Sequence, residues 1–295
     1  MTFPGEQDVK NYLKLDSTLP ASFDPNKTDM AYYIKRYNTK LEYYINRIDN
    51  LMLSGDKILD AGCGSGAWSI ALSQRYKSVV ARDLSQDGLD VFNAVKSLMG
   101  INNIQTDRGD LEKLPYDDNS FDDIFCYSVI MYCNVPDVLS EFFRVLKPSG
   151  RVYLCLNNDG YYHYLINERG KREKDQEEYG KKTLYNTYIK RFMQNQDIEI
   201  KANISQYCGR QWLATLDEDL KLHSKNEPIS VSGYDTRAYS FAEMEDLAVH
   251  AGFTDFKAQT EGMLITNEQG IKLEPLYHGY YNDTVTVWEC LFKKS

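Results

Sequence analysis

The period of the apolar positions changes along the chain, and each change marks a structural boundary. Between Met30 and Leu53 apolar residues recur every three or four positions, at Ile34, Tyr37, Leu41, Tyr44 or Ile45, and Ile48. That spacing predicts one amphipathic helix, ended by Ser54-Gly55-Asp56. Before it, Pro4, Gly5, Pro20 and Pro25 stand among polar residues, which reads as an arm with one short helix near Val9 to Leu15. From Lys57 onward short apolar runs alternate with helical ones. Strands are expected at 57–61, 78–82, 104–106, 123–127 and 151–156, and helices at 68–76, 86–99 and 136–146, the last stopped by Pro148 and Gly150. Such alternation predicts a parallel sheet with helices on both faces.

The alternation breaks after strand five. Residues 157–238 open with Tyr161-Tyr162-His163-Tyr164 and include a charged run from Glu168 to Lys182, read as a solvated helix. It resumes with a helix at 240–251, ended by Gly252, a sixth strand at 253–260 and a seventh at 284–293. Gly262, Asn267, Gly270 and Pro275 interrupt the link between these two strands. With no crossover helix there, strands six and seven are expected to be antiparallel. The expected organisation is an N-terminal arm and helix (1–53), a domain made of 54–156 plus 239–295, and an inserted cap (157–238).

Composition narrows the class. The 295 residues carry 34 Lys and Arg against 43 Asp and Glu, a net charge of −9, which argues against a large phosphate-backbone footprint. No apolar run has the length of a membrane span, and the N-terminus lacks the pattern of a secretory signal. The six cysteines, Cys63, Cys126, Cys133, Cys155, Cys208 and Cys290, form no Cys-x-x-Cys pair. They read as buried reduced thiols of a cytoplasmic protein.

The densest chemical signal is Ile58-Leu59-Asp60-Ala61-Gly62-Cys63-Gly64-Ser65-Gly66, a strand, a glycine-rich turn and a helix start. Glycines there let a ligand approach the backbone, and the helix start offers unpaired N–H groups. Gly62, Gly64 and Ala67 also fit the dinucleotide fingerprint, so a nicotinamide-dependent oxidoreductase is one reading of the loop alone. Further motifs follow in order: Arg82-Asp83-Leu84-Ser85 at the end of strand two, Gly109-Asp110-Leu111-Glu112-Lys113-Leu114-Pro115, Asn119-Ser120-Phe121-Asp122, and Arg144 to Arg151 leading into strand five.

This ordered set resembles the class I S-adenosylmethionine-dependent methyltransferases with an Asp-x-Gly-x-Gly-x-Gly loop, over roughly residues 55–156 and more weakly 238–295. The resemblance implies a Rossmann-like seven-stranded sheet with strand seven antiparallel, and a cap inserted between strand five and the last helix. It implies S-adenosylmethionine as cofactor, S-adenosylhomocysteine as product, and no metal. Asp60 and the backbone of Gly62, Cys63, Gly64 and Gly66 would hold the amino-acid end. Asp83 would bind the ribose hydroxyls, Leu84 and Leu111 would flank the adenine, and Asp110 would accept from its amino group. Cys126 and Tyr127 would line the methionine moiety, and the N-terminal helix, with Tyr33, would close over the cofactor. Two positions depart from the family: Arg82, where an apolar residue is usual, and Ser149, where glycine is common.

Ligands of open parallel sheets bind outside the carboxyl ends of the strands. The cap and the segment 261–283 both leave from that edge, and both are rich in tyrosine: Tyr161, Tyr162 and Tyr164, then Tyr277, Tyr280 and Tyr281. Tyr32, Tyr33 and Tyr37 would form a third wall. Candidate catalytic groups are His163 and His278, as proton acceptors, and Tyr132, where similar enzymes often carry His. No Asn/Asp-Pro-Pro-Tyr motif follows strand four and no Pro-Cys nucleophile is present, which argues against methylation of DNA bases. The expected partner is a small polar methyl acceptor, with no membrane and no nucleic acid. The alternatives are a methyltransferase acting on RNA or protein, and a non-catalytic S-adenosylmethionine-binding subunit.

Overall fold

The computed structural model describes residues 2–15, 30–51, 53–194, 199–224, 236–260 and 280–295, the side chains of residues 31, 32, 35, 36 and 222–224 excepted. It begins with helix α1 (Glu6–Leu13), α2 (Met30–Lys35), a 3-10 turn (Arg36–Asn38) and α3 (Leu41–Asn50). The single helix expected over 30–53 is thus two helices with a break at Thr39-Lys40. The apolar spacing survives the break because Ile34, Tyr37, Leu41, Tyr44 and Ile48 are all buried against the same core.

The alternating region follows as β1 (Lys57–Ala61), α4 (Ala67–Leu72), β2 (Ser78–Asp83), α5 (Gln86–Leu98), β3 (Ile104–Arg108), β4 (Phe121–Tyr127), α6 (Val135–Val145) and β5 (Leu146–Asn157). The inserted segment holds α7 (Asp159–Asn167), α8 (Lys174–Met193), α9 (Ile200–Asn203) and α10 (Leu216–Ser224). The chain then returns through α11 (Phe241–His250) and β6 (Phe253–Thr260), a hairpin of β7 (Tyr280–Tyr281) and β8 (Thr284–Val285), and β9 (Val287–Lys294).

Seven strands form one sheet in the order β3-β2-β1-β4-β5-β9-β6. The first five are parallel, and β9 runs antiparallel to both β5 and β6. The fold is Rossmann-like, with the expected antiparallel seventh strand in β9. That strand is shorter than expected because residues 280–285 turn back on themselves. Asn282 and Asp283 take φ of 46° and 61°, as a tight two-residue hairpin turn requires.

Strand side chains alternate between two cores. Ile58, Val79, Ala81, Phe125 and Tyr153 face the N-terminal helices, α4 and α5, whereas Leu59, Val80, Ile124, Leu154 and Trp288 face α6 and α11. A buried ion pair fixes α3 to the sheet. The Arg47 Nη2 donates to Glu289 Oε2 at 2.8 Å, and the Tyr153 hydroxyl donates to the same oxygen at 2.6 Å. Arg47 and Glu289 are 1% and 2% exposed, so removing either partner would strand a buried charge.

The inserted segment has its own core of Tyr162, Leu165, Leu184, Tyr185, Ile189 and Ile204. The charged run ahead of this core is solvated, with every Lys, Arg, Asp and Glu from Glu168 to Lys182 exposed or half-buried. The first half of α8 carries the charges, but Thr183 to Ile189 are all buried. An ionic cluster joins this segment to the sheet domain: Arg191 of α8 donates to Asp159 at the start of α7 (2.7 Å) and to Glu243 of α11 (3.2 Å).

Ser149 marks a bulge in β5, where the register slips between Phe121↔Leu146 and Asp123↔Arg151. Its φ is 67°, a left-handed conformation that glycine adopts without steric cost.

Candidate active site

The sheet order reverses between β1 and β4, and the glycine turn leaves β1 at that point. Gly62, Gly64 and Gly66 all take positive φ, of 81°, 52° and 82°. Their surroundings differ. A Cβ on Gly62 would stand 2.4 Å from Val129, and one on Gly66 would stand 2.3 Å from Phe92. A Cβ on Gly64 would meet Tyr33 at 3.6 Å, an ordinary contact. Gly62 and Gly66 are therefore demanded by packing, and Gly64 is the glycine that leaves space beside the turn.

The turn is held from several sides. Gly62 N and Cys63 N both donate to the Arg82 carbonyl, at 2.7 and 3.1 Å. Gly64 N donates to Asp83 Oδ2 at 2.7 Å. The Tyr37 hydroxyl donates to the Ser65 carbonyl. Tyr33, 9% exposed, packs over Gly64 and Gly88. The N-terminal helices thus cover the glycine turn, while the side chain of Tyr32 lies outside the described residues.

Asp83 ends β2, and its other oxygen accepts from Ser85 N at 2.8 Å. Burial pushes its carboxyl above the usual range, opposed by the backbone N–H groups that point at it. Next to it Leu84 is 66% exposed, a large apolar side chain at the rim of the site. Asp110 lies after β3, exposed, with Oδ1 accepting from Glu112 N at 3.0 Å, and Leu111 beside it is buried. Gly109 N donates to the Asp83 carbonyl at 3.0 Å, which brings the two strand ends together.

Asp60 is 1% exposed and accepts from the Ser69 hydroxyl. Burial pushes its carboxyl up to about 7, the Ser69 hydrogen bond opposes that, and the nearby Asp83 adds to it. Cys126 and Tyr127 were expected to line the site together. Neighbours on a strand face opposite ways, and Cys126 is fully buried in the core with Leu59 and Ala61. Tyr127 faces the other side, its ring centroid 4.7 Å from that of Trp68. The thiol of Cys126 is a core side chain.

Tyrosines from the insertion meet the loop after β4. The Tyr179 hydroxyl of α8 donates to that of Tyr132 at 3.2 Å. Tyr162 of α7 is fully buried, its ring centroid 6.0 Å from that of Tyr179. Burial pushes both Tyr162 and Tyr179 well above the usual phenol range. These phenols stay protonated at neutral pH, so they donate hydrogen bonds. Sequence reasoning missed Tyr179, which sits inside a run dominated by charge.

His163 does not join this group. Its ring stacks on Tyr207 with centroids 4.2 Å apart, and its Nε2 lies 3.5 Å from the Tyr188 hydroxyl, within the core of the insertion. Burial lowers its pKa. His278 and Tyr277 lie outside the described residues.

The remaining motifs lie at the opposite edge of the sheet. Asp122 accepts from the backbone of Asp56 and Lys57 at 3.0 and 2.8 Å, and from Lys147 at 2.6 Å. Arg144 donates to the Leu114 and Tyr116 carbonyls at 2.9 and 2.7 Å. They hold strand starts and loops in place.

Residues 59–154, which run from β1 through β5, match the family described as a methyltransferase domain. Over these residues the chain is similar to a methyltransferase domain. The matched residues include the glycine turn, Asp83 and Asp110, and stop before the insertion. A demethylmenaquinone methyltransferase of Oceanobacillus iheyensis is 37% identical over 129 residues, covering 38% of this chain and 52% of its own length. One of Staphylococcus epidermidis is 44% identical over 110 residues, covering 35% of this chain and 43% of its own. The match thus spans about half the length of these relatives. The solved structure of an S-adenosylmethionine-dependent methyltransferase from Mesorhizobium loti aligns over 87% of this chain and 99% of its own, with 14% identity and a TM-score of 0.49.

Proposed function

We propose that this protein transfers the methyl group of S-adenosylmethionine to an oxygen or nitrogen of a small polar acceptor. The observation that carries the reading is the joining of Gly64 to Asp83 at the point where the sheet order reverses. An open glycine and an acidic strand end side by side suit a nucleoside whose ribose hydroxyls donate to the carboxylate. The exposed Leu84 and the buried Leu111 supply apolar surface for a purine, and Asp110 an acceptor for its amino group. Asp60, the backbone of Gly62, Cys63, Gly64 and Gly66, and the rings of Tyr33 and Tyr127 complete the set assigned to the cofactor.

When bound, the cofactor supplies a methyl group already activated on a sulfonium. What remains for the protein is alignment, exclusion of water and removal of a proton. In this reading Tyr132, Tyr162 and Tyr179 orient the acceptor through neutral phenols, and residues 157–238 act as a cap that selects it. In this reading the methyl donor belongs to the domain of residues 54–156 and 239–295, and Tyr33 and Tyr37 cover the glycine turn. His278 is retained as the candidate proton acceptor. The names of the relatives support an acceptor of small-molecule size.

Titration with S-adenosylmethionine followed by labelled methyl transfer into fractionated metabolites, with RNA and total protein in parallel, tests the reading. Label in the metabolite fraction is the expected result. Label in RNA or protein, or cofactor binding with no transfer to any fraction, overturns it.

A further inference from the structure

Arg82 is a charged residue that follows the apolar run of β2. Val79, Val80 and Ala81 precede it, and it is itself 6% exposed. Burying a guanidinium costs several kcal/mol in lost hydration unless its donors are matched to acceptors. Here they are matched, and every acceptor lies in one short stretch of chain. Nε donates to the Asp110 carbonyl at 3.0 Å, Nη1 to the Asp107 carboxylate, and Nη2 to the Lys113 carbonyl at 3.5 Å. Asp107 is fixed in turn by the Tyr116 hydroxyl, which donates to it at 2.6 Å. Gly109 makes room for the arrangement, since a Cβ there would lie 2.0 Å from the Arg82 Nη2.

The main chain of Arg82 serves the other side of the site. Its carbonyl accepts from Gly62 N and Cys63 N. One residue therefore ties the glycine turn to the loop that carries Asp110 and Leu111. A planar guanidinium can hold three acceptors at fixed angles, which the point charge of a lysine cannot do.

We propose that Arg82 is a positioning residue that holds the 109–113 loop so that Asp110 meets the amino group of an adenine ring, making this enzyme's selectivity for adenine depend on a side chain outside the pocket. The inference rests on the methyl-donor reading above.

The test compares two probes, S-adenosylhomocysteine and S-inosylhomocysteine, which differ in the amino or oxo group on the purine. Both are titrated calorimetrically into wild type, Arg82→Lys and Asp107→Asn. Hydrogen exchange of the 109–116 backbone is measured on the unliganded proteins. Wild type is expected to prefer the adenine probe by about tenfold or more. In Arg82→Lys that ratio falls toward one, and the 109–116 amides exchange faster. Asp107→Asn shows the same changes to a lesser degree, and it decides the matter if Arg82→Lys does not fold. An unchanged ratio in the folded variants, unchanged exchange, or a wild type indifferent to the two probes overturns the proposal. A wild type that binds neither probe fails the methyl-donor reading itself, and the exchange data then report the loop alone.

Discussion

The Tyr179 hydroxyl of α8 reaches the Tyr132 hydroxyl after β4 at 3.2 Å, so the insertion and the sheet domain share a hydrogen bond at the carboxyl edge of the sheet. Both phenols stand on rigid supports. Tyr132 closes a short 3-10 turn, and Tyr179 lies on a twenty-residue helix. Beside them the buried ring of Tyr162 packs edge-on to that of Tyr179.

If these phenols orient the acceptor, Tyr179→Phe and Tyr132→Phe each raise the KM for the acceptor by about three- to tenfold, the ordinary worth of one hydrogen bond. The affinity for S-adenosylhomocysteine stays at its wild-type value. The double variant is less than additive, with a coupling of about 1 kcal/mol. Equal losses for acceptor and nucleoside would remove the phenols from acceptor binding.

His163 stacks on Tyr207 and lies 3.5 Å from Tyr188, which makes it part of the packing of the insertion. We expect His163→Phe to keep near-normal turnover, and His163→Ala to lose about 1 kcal/mol of stability with its stacking partner. A folded His163→Phe protein whose turnover drops by about a hundredfold, the usual loss for a missing general base, would return His163 to the chemistry.

Asp60 provides a pH signature. Its ordinary pKa is 3.8, and burial pushes it up to about 7 in the folded protein. Between those values the folded state holds a proton that the unfolded state has lost. Stability from this group is therefore greatest at low pH, declines as pH rises from about 4, and is fully lost above about 7. Asn at this position can still accept from Ser69 but does not titrate. Urea denaturation at pH 5 and pH 8 should show Asp60→Asn gaining on wild type at the higher pH, by about 1.4 kcal/mol for each pH unit inside the window. Parallel pH profiles for the two proteins would show that the Asp60 carboxyl is not perturbed.

Much of this was legible in the sequence because strand periodicity and turn chemistry are local. The sixth strand lies at Phe253–Thr260, the range expected, and α11 begins at the capping box of Ser240 and Glu243. Other features depend on neighbours that spacing does not reveal. The buried positions from Ile34 to Ile48 were readable, but apolar spacing reports a common face and is silent about the break between α2 and α3. In α8 the charges of the first half drew attention from the stretch after them, Thr183 to Ile189, which is buried. Arg82 looked like a departure from an apolar position, and its partners come from a loop some twenty-five to thirty residues away. At the site, Asp83 and Gly64 were readable as a pair of motifs, whereas Tyr179 was not, because no local signal links a charged helix to the end of β4.

The glycine turn separates packing from binding in one experiment. All three glycines have positive φ, so alanine at any of them carries a left-handed cost of about 1–2 kcal/mol. At Gly62 and Gly66 a methyl group also strikes Val129 at 2.4 Å or Phe92 at 2.3 Å, both part of packed surroundings. Relief there requires the core to move, and overpacking adds about 1–3 kcal/mol more. Gly62→Ala and Gly66→Ala should therefore lower the melting temperature markedly. At Gly64 the methyl meets Tyr33 at 3.6 Å and nothing closer among the described residues, so Gly64→Ala should fold with only the backbone cost. In the cofactor reading proposed above this methyl would stand against the bound nucleoside, however, and S-adenosylhomocysteine binding should weaken by about tenfold or more, a loss of at least about 1.4 kcal/mol. Thermal melts and calorimetric titration on the three variants separate the two effects. A stable Gly64→Ala protein that binds the nucleoside as wild type does would show that the open space beside Gly64 is not where the ligand lies.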